Sequence, residues 1–500
     1  FLDNTFLGRD NTNKRDEFSS RGKVHWSLSG DADIRLTAAY SNIDNGYDAF
    51  SLENNRRTRT DRPGTDAQEA ITMGLSTNWT LYAGLQLETQ ISWSDVDEQY
   101  GFDEDWVFAG FCDGVTCNPL VEFNSTDLFE RDREVFSADV RIKSNPARID
   151  WVLGFYAQQR NEDLDRQHFG RFASTYETER YAGYGQVIVE LNNHWAVTGG
   201  FRYEQFNDEY SDTNRLITKS KEGYWSGQLT AEYSFLDDVL IFGTLSRGVK
   251  PGGVNTDTSS NLPLVAATFR TFLTERQKFA SETLFNKEIG IKASVYNHRL
   301  QMRLTAFHID RYDAQLESFT FDPSTFIFTS FLDSKSDAEN YGVELELDYF
   351  PNRDVNLFAN IGYLETNVER MTVFDLDRLT FRPLVDRDQA KSPNWTYNIG
   401  ANLKFNDRLH GRFEVEGRDS NFFGYYHDGK IEAYALAHAS VSYTVGPITA
   451  QAWMRNIFGT NYAVHGLFFA NDPRDAFTRN REYFQRGEPR VFGLNLSYRF

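Results

Sequence analysis

The chain has 500 residues, with Phe 42, Tyr 25 and Trp 9 against 12 Pro, 4 Met and 2 Cys, and a formal net charge of -20. So acidic a balance argues against a nucleic acid partner. No apolar run approaches the ~20 residues of a membrane-spanning helix, and the mean hydropathy is -0.55. A barrel strand, however, alternates lipid-facing and lumen-facing side chains, so its mean hydropathy stays low while one face is greasy. Composition alone leaves a transmembrane β-barrel and an array of β-sandwiches on equal terms.

From the N-terminus, residues 1–17 are rich in Asn, Asp and Arg and show no signal peptide. The first period-2 segment is 18–28, and strand then follows strand to 490–500, with hardly any amphipathic helix. Clear cases are Leu300, Met302, Leu304 and Ala306 against Gln301, Arg303 and Thr305, and Tyr341, Val343, Leu345, Leu347 and Tyr349 against Gly342, Glu344, Glu346 and Asp348. Near the end, Ile448, Ala450, Ala452 and Met454 alternate with Thr449, Gln451, Trp453 and Arg455.

The connections separate the two folds. Short turns bearing Gly, Pro, Asn or Asp fall at 29–31, near Asn78, and at 145–147, 192–194, 236–238, 297–298, 351–353, 406–408 and 446–447. Long polar loops fill the opposite ends, at 43–67, 96–132, 162–175, 207–222, 249–281, 316–336, 365–393, 420–432 and 457–489. So many long loops are anomalous in a compact domain. In an outer-membrane barrel, short periplasmic turns and long extracellular loops are the rule. The expected fold is therefore all-β, a transmembrane antiparallel barrel of a Gram-negative outer membrane, surrounded by outer-membrane lipid and lipopolysaccharide.

About nineteen strands can be counted, whereas single-chain bacterial barrels close with an even number. The odd count implies at least one further strand upstream, with residues 1–17 belonging to a cut extracellular loop. Phe492, Leu494, Leu496, Tyr498 and Phe500 give the final strand one apolar face ending in an aromatic residue, the signal read by the outer-membrane assembly machinery. Cys112 and Cys117 are read as a disulfide closing a small loop in an oxidising compartment, ahead of two free thiols. Two sulfurs are too few for a structural zinc site.

Several stretches resemble the barrel of TonB-dependent outer-membrane receptors. They are Ser246-Arg247-Gly248-Val249-Lys250-Pro251-Gly252-Gly253-Val254-Asn255, Glu288-Ile289-Gly290-Ile291-Lys292, and Ala306-Phe307-His308-Ile309-Asp310. Ala338-Glu339-Asn340-Tyr341-Gly342-Val343-Glu344-Leu345-Glu346, Arg455-Asn456-Ile457-Phe458-Gly459-Thr460-Asn461-Tyr462 and Gly487-Glu488-Pro489-Arg490 add to the likeness. The resemblance implies a 22-stranded barrel closed by an N-terminal plug and energised by the TonB complex. On this reading residues 1–500 are one barrel domain, without plug, TonB box or first strands.

A barrel this wide encloses a lumen that side chains do not fill. Glu344, Glu346, Asp348, Arg303, Arg455, Glu414, Glu416 and Arg418 face it, hydrating the lumen and bonding a plug ahead of touching substrate. Substrate capture is expected at loop apices with aromatic and polar groups: Tyr47 and Phe50, Trp106 and Phe108, and the run Asn421, Phe422, Phe423, Tyr425, Tyr426 and His427. For that run an aromatic girdle at the outer interface, with Tyr and Phe anchoring at headgroup level, is favoured ahead of capture. Gly252-Gly253 reads as a turn device using positive φ. His168 and His465, alone in long loops, read as solvated. Phe381-Arg382-Pro383-Leu384 and Asn118-Pro119-Leu120 are only fragments of the boxes of haem receptors.

No motif asks for a cofactor, a metal or a catalytic pair, and an enzyme is the least favoured class. The expected role is energised uptake of a scarce, bulky small-molecule nutrient, a ferric siderophore first. Vitamin B12 or an oligosaccharide is the alternative, and a passive porin is less favoured.

Overall fold

A computed structural model describes residues 2–113, 117, 124–145 and 148–499. Asn118-Pro119-Leu120, the turn residues 146–147 and Phe500 lie outside the described residues. The alternating segments form one antiparallel sheet curled into a barrel of twenty strands. One of them, Thr380–Arg387, pairs only with the overhang 368–375 of its predecessor, which leaves nineteen strands in the wall.

The first seven strands are β1 Glu17–Ser29, β2 Ala32–Tyr47, β3 Gly64–Thr80, β4 Gln86–Asp103, β5 Thr126–Lys143, β6 Ile149–Gln167 and β7 Arg171–Glu190. Next come β8 Trp195–Asp212, β9 Ile217–Leu236, β10 Val239–Lys250, β11 Glu282–Val295, β12 Leu300–Tyr312 and β13 Ala338–Asn352. The wall ends with β14 Val355–Asp375, β15 Trp395–Lys404, β16 Leu409–Arg418, β17 Tyr434–Val445, β18 Ile448–Arg455 and β19 Val491–Tyr498. Each pairs with the next in sequence, from β1 with β2 to β18 with β19. Among the described residues β1 and β19 each have one ladder, and all of β1 is exposed.

Register carries the polarity pattern around the wall, because the side-chain period of a strand is two. On β8, Trp195, Phe201 and Tyr203 point outward and are exposed. Their register partners on β9 are Tyr233, Gly227 and Trp225. Aromatic residues thus bound an apolar band, as lipid and headgroups require. The opposite face is charged and paired: Glu88 meets Arg141 at 2.7 Å, Tyr184 donates to Asp139 at 2.8 Å, and Arg303 lies 3.5 Å from Glu346.

The glycines of the receptor-like stretches have a packing reason. A Cβ on Gly290 of β11 would lie 2.5 Å from the Phe242 ring, and one on Gly342 of β13 would lie 2.9 Å from that of Phe307. Both rings belong to the directly paired residue of the neighbouring strand. The same tiling sets Phe358 over Gly400 and Trp453 over Gly493. Gly252-Gly253 departs from its expectation: neither residue has positive φ. Gly252 instead lets the chain pass close to the Phe279 carbonyl, 2.5 Å from where a Cβ would sit. In the near-terminal stretch, Asn456 is buried and donates to the Thr460 carbonyl at 2.9 Å and the Glu488 carbonyl at 3.1 Å. That clamps the turn after β18 to the entrance of β19.

Strands run further than expected on the long-loop side. Much of 162–175 and 207–222 is strand, leaving connections only at 168–170 and 213–216. These segments are mostly polar, which reads as loop, but one face is covered, burying Leu164, Phe172 and Tyr210 together with Ser174, Asp208 and Thr218, while the other meets water. The ninth short turn lies at 81–85, around a 3₁₀ turn at Tyr82–Gly84, while Asn78 is inside β3. At the long-loop end, residues 2–16 pack against the β2–β3 connection, where Asn4 is buried and donates to Thr60 Oγ1 at 2.8 Å.

Candidate functional site

The long connections fold onto one another. Between β10 and β11 lie two short helices, α1 Thr256–Asn261 and α2 Ala267–Thr274. The β12–β13 connection is itself a hairpin, Leu316–Asp322 with Ile327–Asp333, and so is the β18–β19 connection, Ala463–Phe469 with Arg481–Arg486. Seven connections contribute side chains to one buried apolar core. Since they spring from strands far apart around the wall, they converge over one mouth of the barrel as a cap.

Phe50, Trp106, Tyr425 and Tyr426 lie in that core, Tyr47 and Phe108 pack against it, and Phe423 and His427 are buried beside Tyr426 and Phe468 and not at exposed apices. Phe50 stacks on Trp106 with centroids 5.2 Å apart, and Trp106 meets Phe469 edge-on at 5.4 Å. Phe469 meets Phe328 at 4.4 Å, Phe328 meets Phe319 at 5.9 Å, and Phe319 meets Tyr426 at 3.6 Å. His427 contacts both Tyr426 and Phe423. An unbroken line of rings therefore joins the two clusters that sequence kept apart. Phe50, Trp106, Phe423, Tyr425, Tyr426 and His427 are each at least 93% buried, while Tyr47 packs at the rim against Tyr100. The 421–427 run is not a lipid-facing girdle, because it is covered by the loops it packs against.

Phe319, Phe328, Phe469 and Tyr483 were missed among the candidates. The available signal was the alternation within 316–333, Leu-Glu-Ser-Phe-Thr-Phe-Asp followed by Ile-Phe-Thr-Ser-Phe-Leu-Asp, which marks a hairpin inside a nominal loop. Cys112 and Cys117 are disulfide-bonded at the edge of the cap.

Polar groups pin the cap. Arg276 and Asp333 pair at 2.8 Å and are almost fully buried. Arg387 lies over the Phe422 ring and donates to Asp428 and to the His427 carbonyl. The His427 Nδ1 accepts from the Gly429 N–H at 2.7 Å. Burial, reinforced by Arg387, pushes the His427 imidazole down to about 3. His465 is likewise lowered, first by burial. His168, 7% exposed, is not solvated as expected, and His465 is partly buried.

Two groups of side chains have metal-ligating geometry among the described residues. His308, Asp310 and Glu339 lie partly exposed on the outward side of β12 and β13, beside Lys287. The other, Glu104, Asp127 and His168, is buried at the cap's base.

An apolar exterior, a charged lumen and loops folded over one mouth define an outer-membrane receptor barrel. The family model for the TonB dependent receptor-like β-barrel matches residues 2–457, and the chain belongs to that family of outer-membrane receptors. The pesticin receptor of Yersinia enterocolitica serotype O:8 / biotype 1B is 26% identical over 211 residues, which cover 40% of this chain and 28% of that protein. The pesticin receptor of Yersinia pestis matches to the same extent, so the match spans little more than a quarter of these relatives. The ferric yersiniabactin uptake receptor FyuA from Yersinia pestis superposes with a TM-score of 0.78 at 16% identity, over 100% of this chain and 73% of that one. The copper transporter OprC gives 0.73 at 13% identity, over 100% and 74%. The siderophore receptor PiuA from Acinetobacter baumannii gives 0.73 at 12%, over 98% and 75%. At such identities these likenesses show a shared fold.

Proposed function

We propose that the chain is the barrel and loop cap of a receptor for energised uptake of a scarce, bulky nutrient, a ferric siderophore in the first instance. The observation that carries the reading is the cap itself. Seven connections with a common apolar core fold over one mouth of a wide polar lumen, an arrangement suited to enclosing a large ligand and unsuited to free diffusion. Energy enters through TonB acting on a plug seated in the lumen, and no bond is made or broken by the barrel. The names of the structural neighbours, a ferric yersiniabactin receptor and a siderophore receptor among them, support the same ligand class.

Capture by Tyr47, Phe50, Trp106, Phe423, Tyr425, Tyr426 and His427 belongs to this proposal and requires the cap to rearrange, because six of the seven are buried. The test is growth of a deletion strain, with and without the full-length gene, on a panel of ferric siderophores under iron limitation. Rescue by one siderophore is the expected result. Rescue by vitamin B12 or an oligosaccharide alone would replace the substrate class, and large steady currents in planar bilayers would replace the transporter with a porin.

A further inference from the structure

At the base of the cap, three strand tops bring an unusual set of groups together. Glu104 follows β4, Asp127 is the second residue of β5, and His168 follows β6; one ligand atom from each lies within 4.8 Å of the others. The side chains of His168 and Asp127 are 3% and 4% exposed. The His168 Nε2 is 3.0 Å from Glu104 Oε1, yet among the described residues neither that nitrogen nor Glu104 Oε2 has an aligned hydrogen-bond partner. A buried polar atom left unmatched costs about 1–3 kcal/mol, so two at one spot point to a missing partner.

The charges agree. Arg166 forks Asp127, with Nε donating to Oδ1 at 2.9 Å and Nη2 to Oδ2 at 2.6 Å. Its Nη1 pairs with Asp257 of α1. Asp127 and Asp257 share the Arg166 guanidinium while Glu104 faces His168, and a dication held by the His168 nitrogen would bring these three carboxylates and one guanidinium to neutrality. Arg166 Nη2 also lies 3.4 Å from His168 Nδ1, which leaves Nε2 as the nitrogen free to coordinate.

We propose that Glu104, Asp127 and His168 bind a divalent transition metal, with Zn²⁺ as the reference ion, through His168 Nε2 and one oxygen of each carboxylate. The imidazole selects against Ca²⁺ and Mg²⁺, which take oxygen ligands. Three protein ligands suit a tetrahedral ion with its fourth position open. The ion would tie the tops of β4, β5 and β6 to one another, and Arg166, which bridges Asp127 to Asp257, continues that link to α1 of the cap. This site is separate from any nutrient route, and its failure would leave the uptake reading untouched.

The test uses the detergent-solubilised chain, stripped with chelator, dialysed against Zn²⁺ and assayed for retained metal by mass spectrometry. The wild type should retain zinc, His168→Ala and Glu104→Gln should lose it, and His308→Ala should keep it. Co²⁺ titration of the wild type supplies a readout that needs no variant to fold: the intense visible bands of a tetrahedral site are expected. No retained zinc, retention unchanged in His168→Ala, loss confined to His308→Ala, or a Co²⁺ spectrum of the hexaaquo ion would each overturn the assignment.

Discussion

The wall and the cap of this molecule obey opposite solvent rules. On the wall, Trp195, Phe201, Leu245 and Phe492 stand exposed on the outside while charges pair within. In the cap, Trp106, Val107, Leu273 and Tyr483 are buried together as in a small soluble domain. One chain thus contains a fold stabilised by ladders and lipid contact and another stabilised by apolar burial. The contrast predicts that each region can be damaged without the other.

The largest effect is expected for Trp106→Ala, which removes the ring joining Phe50, Phe469 and Tyr483. A buried Trp lost to Ala costs about 3–5 kcal/mol, so the cap should become protease-sensitive. The wall should keep its heat-modifiable gel mobility, and loss of that mobility would mean that cap and wall fold as one unit. Next comes Leu245→Arg on the outer face of β10. A cation there costs about 2–4 kcal/mol near the bilayer midplane, and should lower the denaturant midpoint of the wall in liposomes while leaving cap proteolysis unchanged.

A smaller effect follows from pH. His427 is neutral in the closed cap, its imidazole lowered by burial to about 3 from an ordinary 6.5. When the cap opens the ring regains its ordinary affinity for protons. Above pH 6.5 closure is unaffected; as pH falls from there toward 3 it weakens by up to about 1.4 kcal/mol per unit. Protection of 421–427 against hydrogen exchange, taken relative to the intrinsic exchange rate at each pH, should fall between pH 7 and 5, and His427→Phe should flatten that response. The smallest effect belongs to Arg303→Gln in the lumen. Its partner Glu346 is 3.5 Å away, and both side chains are about half exposed, so the wall should lose no more than about 1 kcal/mol. A larger shift in the denaturant midpoint would show that the lumen pairs act as a network.

The wall was legible in the sequence because its order is local. Tyr341, Val343 and Leu345 against Glu344 and Glu346 alternate along one strand, and short turns alternate with long connections along the chain. The cap was not legible, because its order is made between segments hundreds of residues apart. Phe50, Trp106 and Phe469 are each plausible loop aromatics alone, and only tertiary convergence buries them. The same holds for His168, whose neighbours Glu104 and Asp127 arrive from other strands. The extended tops of β6 to β9 are hidden in the sequence for a different reason: their covered face carries Arg166, Ser174, Asp208 and Thr218 among Leu164, Phe172 and Tyr210, so it lacks the continuous greasy stripe that betrays a strand.

The rings laid over glycines in the lumen wall have a consequence for how such a barrel changes over time. Phe242 and Gly290, Phe307 and Gly342, Phe358 and Gly400, and Trp453 and Gly493 are each a flat plate and its recess. A methyl group added at the recess collides with the plate, and a plate removed leaves bare peptide facing water. At Gly493 the Trp453 ring alone fills the recess, so shrinking that ring should admit a methyl group there, whereas at Gly342 and Gly400 the backbone carbonyls of Tyr363 and Phe413 lie closer than the rings and keep the position glycine whatever plate covers it.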